Sequence, residues 1–267
     1  MRTLITSEWR KLLTTRMWWL LLGIMVVTVA AFSGLFGFAL SVDGATGTGE
    51  DAIALDSRTI ALTVYTLGVS LGYVFPMTLG ALHVTGEFRH GTIDTTLLAS
   101  PHRGRAIAAK IISVVPMGLL YGIASMAAGL GAGMIALAIT GQPLELGETQ
   151  IWRSLALGIV ALAAWMVVGV GFGSVLTNQV AAIVTLLAFT QFVEPILRMV
   201  LGAWSATQGI GKFLPGAAGE SIVGASFYSA SGMGGLLPAW GGLLVLMAYA
   251  LVTALVGRFT TFRKDLT

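Results

Sequence analysis

The sequence contains no cysteine and few charged residues. Without cysteine, the chain can form neither a disulfide framework nor a thiolate metal site. Charged residues make up 10% of the 267 positions, against about a quarter in an average soluble domain. The hydrophobic share is 56% and the mean hydropathy is +0.87. This composition excludes an ordinary soluble domain and indicates a membrane protein surrounded by lipid, with no nucleic-acid partner.

The apolar residues are concentrated in six runs, and each run is long enough to cross a bilayer as a helix of ~20 residues. We therefore predict an all-α polytopic membrane protein with one domain over residues 1–267. A short polar patch, Thr177-Asn178-Gln179, predicts a tight hairpin between the fourth and fifth spans. The six predicted spans are 17–41, 57–82, 107–140, 154–177, 180–202 and 236–257.

The basic residues alternate with the spans in a way that predicts the orientation. If the N-terminus is cytoplasmic, the inner segments hold eleven of the 15 Lys and Arg residues, whereas acidic residues collect outside. The positive-inside rule favours this arrangement, with both termini cytoplasmic. The eleven are Arg2, Arg10, Lys11, Arg16, Arg89, Arg103, Arg105, Lys110, Arg258, Arg263 and Lys264.

Residues 1–16 precede the first span. Leu4, Ile5, Trp9, Leu12 and Leu13 recur at helical spacing with charged residues between them. This pattern predicts an amphipathic helix that lies in the inner membrane interface. The alternative is a basic flank that serves only to orient the chain.

A polar loop, residues 84–105, separates the second and third spans. Gly86 and Gly91 favour sharp turns, and Thr92 is a suitable cap for a short helix. Pro101 favours the end of that helix. The apolar face of this helix is predicted from Ile93, Leu97 and Leu98. The alternative is an interfacial connector whose charges serve topology alone.

The loop also carries a longer pattern, which consists of Glu87, Gly91-Thr92, Leu97-Leu98, Ser100-Pro101, Arg103 and Lys110. It resembles the cytoplasmic loop of type-2 permeases of ATP-binding-cassette (ABC) transporters, the membrane subunits of many bacterial exporters. The resemblance implies that the loop carries a coupling helix, which docks on a separate ATPase. The residues that it implies for this contact are Glu87, Arg89, Gly91, Thr92, Leu97, Leu98, Pro101 and Arg103.

The same resemblance implies the partners and the location. It predicts two ATPase subunits, a second permease that is either another copy of this chain in a homodimer or a similar protein, and a bacterial cell membrane. ATP and Mg would be bound by the ATPase, and no cofactor by this chain. Consistent with that expectation, Gly211-Lys212 is followed by Phe213, so it does not form a phosphate loop. The expected activity is export of a hydrophobic or amphipathic cargo such as a drug, a peptide or a lipid.

Ionisable residues are almost absent from the predicted spans, which argues against an ion-coupled carrier. Glu194 and Arg198 are the exception, and their spacing places them on one helix face. They either pair with each other or, with Tyr65, form an outer gate or a substrate contact. His83 and Glu87 have ligand-like spacing, but no second set completes a metal site. A non-transporting immunity or scaffold subunit stays an alternative function.

The segment 203–238 is too polar for another full span. Similar permeases fold this region as short re-entrant or interfacial helices before the last span, and we expect the same here, with Lys212 and Glu220 facing the outer water. Four small-residue pairs predict close helix contacts, either within the chain or between subunits. These pairs are Gly68/Gly72, Gly118/Gly122, Gly129/Gly133 and Gly169/Gly173.

Overall fold

The computed structural model describes residues 1–46, 56–93, 103–204, 207–225 and 235–261, and every regular element among them is a helix. This result confirms the all-α prediction for those residues. The first six helices are α1 (Arg2–Thr14), α2 (Met17–Thr46), α3 (Ser57–Leu71), α4 (Val74–Arg89), α5 (Arg103–Ile139) and α6 (Thr149–Val175).

The second half of the chain contains shorter helices. The predicted fifth span is divided into α7 and α8 by five residues of π-helix, Phe189–Val193. Two short helices precede the last long one, as predicted for 203–238. The elements are α7 (Gln179–Ala188), α8 (Glu194–Gly202), α9 (Gln208–Gly211), α10 (Pro215–Val223) and α11 (Ala239–Thr260).

Six segments of the described chain are long and apolar enough to cross a membrane. They are α2, α3 with α4, α5, α6, α7 with α8, and α11. The predicted break between the fourth and fifth spans is confirmed, because α6 ends at Val175 and α7 begins at Gln179. Asn178 stabilises this start, since its side-chain oxygen accepts a hydrogen bond from the Ala181 N–H at 3.1 Å.

Two predicted boundaries at the loop between the second and third spans are wrong. Helix α4 continues to Arg89 rather than stopping near 82, and α5 begins at Arg103 rather than 107. Gly86 consequently lies inside a helix rather than at a turn. Glu87 near the end of α4 is paired with Lys11 and Lys110, so its charge does not require that helix to stop.

The centre of the bundle is formed by α6 and the α3–α4 pair, which are the most enclosed of the six segments. Helix α6 packs against α3, α4, α5, α10 and α11. The α4–α6 contact is a close backbone approach, because a Cβ added to Gly80 or Gly169 would collide with the backbone of the other helix. The predicted small-residue pairs all lie at contacts within the chain.

The bundle has two ends, which we name by the helices found there. The α1 end holds α1, the end of α4, the start of α5 and the α6–α7 turn. The α10 end holds α10, the start of α3 and the α5–α6 connection. A buried group of charged side chains lies toward each of these ends.

Candidate functional site

At the α1 end, three helices are joined by a group of ion pairs that we call the α1-end cluster: Glu8, Lys11, His83, Glu87 and Lys110. The Lys110 ammonium lies 2.7 Å from a carboxylate oxygen of Glu8 and 2.7 Å from one of Glu87. Lys11 contacts the same two carboxylates at 2.7 and 2.6 Å. Two lysines therefore alternate with two carboxylates and connect α1, α4 and α5.

The α1-end cluster is buried except for Lys11, whose side chain is 38% exposed. His83 is also buried, and its Nε2 lies 3.0 Å from Glu8 Oε2. Burial alone would raise the pKa of Glu8, but the neighbouring His83 and the charge of Lys110 outweigh it and hold that pKa below its ordinary value. Burial would lower the pKa of Lys11, but its bonds to Glu8 and Glu87 raise it. Both groups are thereby held in their charged forms.

Four of the predicted coupling residues are described in full by the structure, and they lie at three places. Glu87 belongs to the α1-end cluster, and Arg89 lies at the exposed end of α4, where it donates to the Gln179 side chain at 3.2 Å. Gly91 adopts a left-handed conformation with φ of 64° and makes the predicted turn. The Thr92 N–H donates to the Glu87 carbonyl at 3.0 Å.

The remaining coupling residues cannot be compared in the same way. Leu97, Leu98 and Pro101 lie outside the described residues, as does most of the predicted coupling helix. The backbone of Arg103 begins α5. The predicted apolar face of the coupling helix therefore stays a prediction.

The prediction that residues 1–16 form a helix is confirmed by α1, and its amphipathic pattern has an additional explanation. Glu8 and Leu12 are buried and face the rest of the protein, so one face of α1 packs against the bundle. Lys110 of α5 is 1% exposed and paired with Glu8 and Glu87. Two buried carboxylates therefore satisfy this ammonium inside the protein.

At the α10 end, Glu194, Arg198 and Glu220 form a second group, which we call the α10-end cluster. Arg198 Nη2 and Nε donate to Glu194 Oε1 at 2.7 and 3.1 Å, and its Nη1 donates to Glu220 Oε2 at 2.8 Å. All three side chains are buried. The predicted pairing of Glu194 with Arg198 is confirmed.

Glu194 also stabilises the start of α10. Its Oε1 accepts the Gly216 and Ala217 N–H groups at 2.6 and 3.1 Å. These are among the N–H groups that a helix leaves without an internal partner, and the helix dipole favours a negative charge there. Since every residue of α10 is buried, Glu194 replaces the water that would otherwise bind these groups.

Glu220 is the residue of this cluster whose position was predicted wrongly. It was expected to face outer water, but it is 5% exposed and paired with Arg198. Because 22 residues separate the two, no local spacing indicates the pair. Tyr65 does not line the cavity beside this cluster. Its hydroxyl donates to the Leu144 carbonyl at 2.9 Å, in the connection between α5 and α6.

Two irregular helices meet beside the α10-end cluster. The α3–α4 pair is interrupted at Gly72-Tyr73, and the π-helical segment interrupts α7 and α8. Tyr73 joins the two interruptions, because its hydroxyl donates to the Thr190 carbonyl at 3.3 Å. The Tyr73 ring stacks on Trp165 of α6, with ring centroids 4.3 Å apart. Sequence analysis predicted neither interruption.

No protein-family model and no curated protein matches this chain. The fold by itself defines the class, which is an α-helical membrane protein with six segments that can span a bilayer. Its two buried charged clusters are the candidate functional sites.

Proposed function

We propose that the chain is the membrane-spanning permease subunit of an ATP-driven ABC exporter. The proposal is supported by the six spanning segments, by the N-terminal helix packed at one end, and by the resemblance of the loop sequence. In this reading, the α1 end is cytoplasmic and receives two ATPase subunits, which supply ATP and Mg. A second copy of the chain completes a homodimer in a bacterial cell membrane.

The observation that carries the proposal is the α1-end cluster. It fastens α1, α4 and α5 together immediately beside both ends of the predicted coupling segment, since Arg89 ends α4 and Arg103 begins α5. A displacement of that segment by an ATPase would move three fastened helices together. Because α4 packs closely against α6 at Gly80 and Gly169, the movement would reach the centre of the bundle.

The cargo that we propose is hydrophobic or amphipathic and leaves the cell. The large apolar side chains exposed on α2, α8 and α11 suit contact with lipid or with the second subunit. The short helices α9 and α10 would lie on the outer side as re-entrant or interfacial elements. An outer exit beside them would involve Glu194 and Arg198.

One observation favours a second function, an ion-coupled carrier. The α10-end cluster adds Glu220 to the two ionisable residues known from the span sequence, and buried carboxylates are typical of ion and proton pathways. A carrier would transport its cargo without an ATPase. A non-transporting scaffold or immunity subunit would bind an ATPase without any flux.

Purification from native membranes tests the proposal. We expect a phosphate-loop ATPase to copurify with the tagged wild-type chain and to be lost from Leu97→Asp, because a carboxylate would disrupt an apolar docking face. Leu97→Met is the matched control and should retain the ATPase. Glu87→Ala is a less specific variant, since it removes a partner of both cluster lysines. A monodisperse wild-type preparation without any ATPase would contradict the proposal.

A further inference from the structure

A cavity of about 790 Å³ lies at the α1 end, between the ends of α4, α6, α7 and α11. Four of the six spanning segments have their first or last residue in its wall, namely Arg89, Val175, Gln179 and Thr260. A spanning segment ends where the hydrocarbon core of the bilayer gives way to the lipid head groups. The cavity therefore lies at the level of the head groups on the α1 side of the membrane.

The charge of this cavity wall is positive. Arg89 lines the cavity, and none of the other described residues in the wall is acidic. Within the described chain, the Arg89 guanidinium donates to the Gln179 side chain at 3.2 Å, and that partner is neutral. A guanidinium carries several further N–H donors, which can bind an anion. The carboxylates of the α1-end cluster bind Lys11 and Lys110 instead.

Uncharged polar side chains add hydrogen-bond donors to the wall. The side-chain oxygen of Asn178 accepts the Ala181 N–H, so the amide nitrogen of Asn178 is left to donate to a ligand. The Thr177 hydroxyl also lies in the wall, at an exposed position. Phosphate oxygens accept such bonds, and a guanidinium binds them with two parallel N–H donors. The polar part of the wall therefore suits a phosphate group.

Two rows of apolar side chains lead from the cavity along the outside of the bundle. On α7, Val180 lines the cavity and Val184 follows it, and both are exposed. On α11, the exposed Val256 and Val252 precede Thr260, which lines the cavity. Residues four apart share one helix face, so each row runs from the cavity into the membrane. A ligand with acyl chains would contact these rows with its chains while its polar group occupies the cavity.

From these observations we infer that the cavity binds the phosphate-bearing head group of an anionic phospholipid, with Arg89 as its cationic partner. Basic pockets between spanning helices bind such head groups in other membrane proteins. The volume lies within the roughly 300–1,000 Å³ typical of ligand cavities. A bound phospholipid would join the ends of α4, α6, α7 and α11 beside the predicted coupling segment. The inference goes beyond the proposed function and requires only that the chain spans a membrane.

Two other partners could use the same arginine. A soluble phosphate compound would bind the polar wall, but it would leave the apolar rows on α7 and α11 unused. An acidic side chain of an ATPase could pair with Arg89, which the resemblance places among the coupling residues. The position of the cavity at the ends of four spans favours the phospholipid over both.

Native mass spectrometry of the purified full-length protein in detergent tests this inference, because it counts the lipids bound to each chain. The probes are phosphatidylglycerol, which is anionic, and phosphatidylcholine with the same acyl chains, which is zwitterionic. We expect phosphatidylglycerol to bind saturably, with an affinity roughly tenfold or more above that of phosphatidylcholine, and to raise the melting temperature. Glycerophosphoglycerol, the head group without acyl chains, should bind roughly tenfold or more weakly than the lipid.

Variants at Arg89 test its role. Arg89→Gln should reduce the affinity for phosphatidylglycerol by roughly tenfold or more, because it removes the cationic partner. Arg89→Lys keeps the charge without the planar fork, so it should retain part of the affinity. Arg105→Gln is the matched control, since it removes an exposed positive charge of α5 that does not line the cavity. It should change the affinity by less than about threefold, because solvent screens distant exposed charges.

A variant at Thr177 keeps the test decisive without removing the guanidinium. Thr177→Asp places a carboxylate at an exposed position of the wall, where it should fold normally and reduce phosphatidylglycerol binding as strongly as Arg89→Gln does. Thr177→Asn is its neutral control and should bind like the wild type.

Three results would overturn the inference. Equal binding of the two lipids would show that charge is not recognised, and equal binding of glycerophosphoglycerol and phosphatidylglycerol would assign the cavity to a soluble phosphate compound. If Arg89→Gln binds phosphatidylglycerol like the wild type but loses a copurifying ATPase, the arginine belongs to the ATPase contact. Because the lipid experiment contains no ATPase, its failure and the failure of the proposed function are separate results.

Discussion

The two buried clusters use the same chemistry in different proportions. The α1-end cluster balances Glu8 and Glu87 with two lysines, and it joins regular helices. The α10-end cluster sets two carboxylates against the single Arg198 beside two interrupted helices. Each contains one carboxylate oxygen without a hydrogen-bond partner among the described residues. The first cluster therefore fastens three regular helices together, whereas the second joins an interrupted span to the buried start of α10.

The largest expected effect is on the α10-end cluster, in Arg198→Met. This change leaves two buried carboxylates without their guanidinium, so we expect a loss of about 3–5 kcal/mol in the free energy of unfolding. Denaturation in mixed micelles measures it. Arg198→Lys keeps the charge but cannot reproduce the three guanidinium hydrogen bonds to Glu194 and Glu220, and it should fall between wild type and Arg198→Met. Equal stability of Arg198→Met and wild type would contradict the role of the ion pairs.

The corresponding change at the other cluster is Lys110→Met. Lys11 still contacts both carboxylates after this change, so the expected loss is about 3 kcal/mol, at the lower end of the range for a broken buried pair. The double variant Glu87→Gln with Lys110→Met should recover part of the loss, because it removes the uncompensated charge. The same denaturation experiment measures both. A double variant less stable than the sum of its single changes would contradict the pairing.

Helices α4 and α6 pack closely against each other at the centre of the bundle. A methyl group at Gly169 would collide with the Met77 backbone, so Gly169→Ala should cost about 1–3 kcal/mol. Gly86→Ala is the matched control, since open space surrounds that helical glycine. The control should be neutral or more stable by roughly 0.5–1 kcal/mol. Melting temperatures of the two variants in one detergent give the comparison.

The smallest expected effect is a dependence of stability on pH at the α1-end cluster. The pKa of Glu8 is lowered in the folded protein, so its stabilising contribution is present above the unfolded pKa of about 4.3. The contribution is lost as the pH falls below that value toward the lower folded pKa. The difference in melting temperature between wild type and Glu8→Gln should therefore shrink as the pH falls from about 5 to about 3. A constant difference would contradict the lowered pKa.

The spanning segments could be predicted because length and hydropathy are local properties of the sequence. The N-terminal helix and the turn at Asn178 could be predicted for the same reason, since helical spacing and capping involve neighbouring residues. The end of α4 could not, because a charged residue such as Glu87 indicates a loop unless its pairing is known. That pairing depends on contacts between distant parts of the chain.

The same limit applies to the candidate sites. Glu194 and Arg198 are four residues apart and could be paired from the sequence, whereas Glu220 joins them from a separate helix. Lys110 and Glu8 are 102 residues apart. The π-helical segment ends two residues before Pro195, and a proline inside a predicted span is a signal for an interruption, although it does not specify a π-helix. The apolar face predicted for Leu97 and Leu98 lies outside the described residues and stays a prediction.

Crosslinking through a single introduced cysteine tests the central claim most directly. The chain has no native cysteine, so Leu97→Cys carries one maleimide-linked photocrosslinker and no other site reacts. Our account predicts that Leu97→Cys in native membranes crosslinks to a phosphate-loop ATPase, whereas Trp204→Cys, exposed at the α10 end, does not. Crosslinking of Leu97→Cys only to lipid or to copies of this chain would contradict the claim that this loop couples the protein to an ATPase.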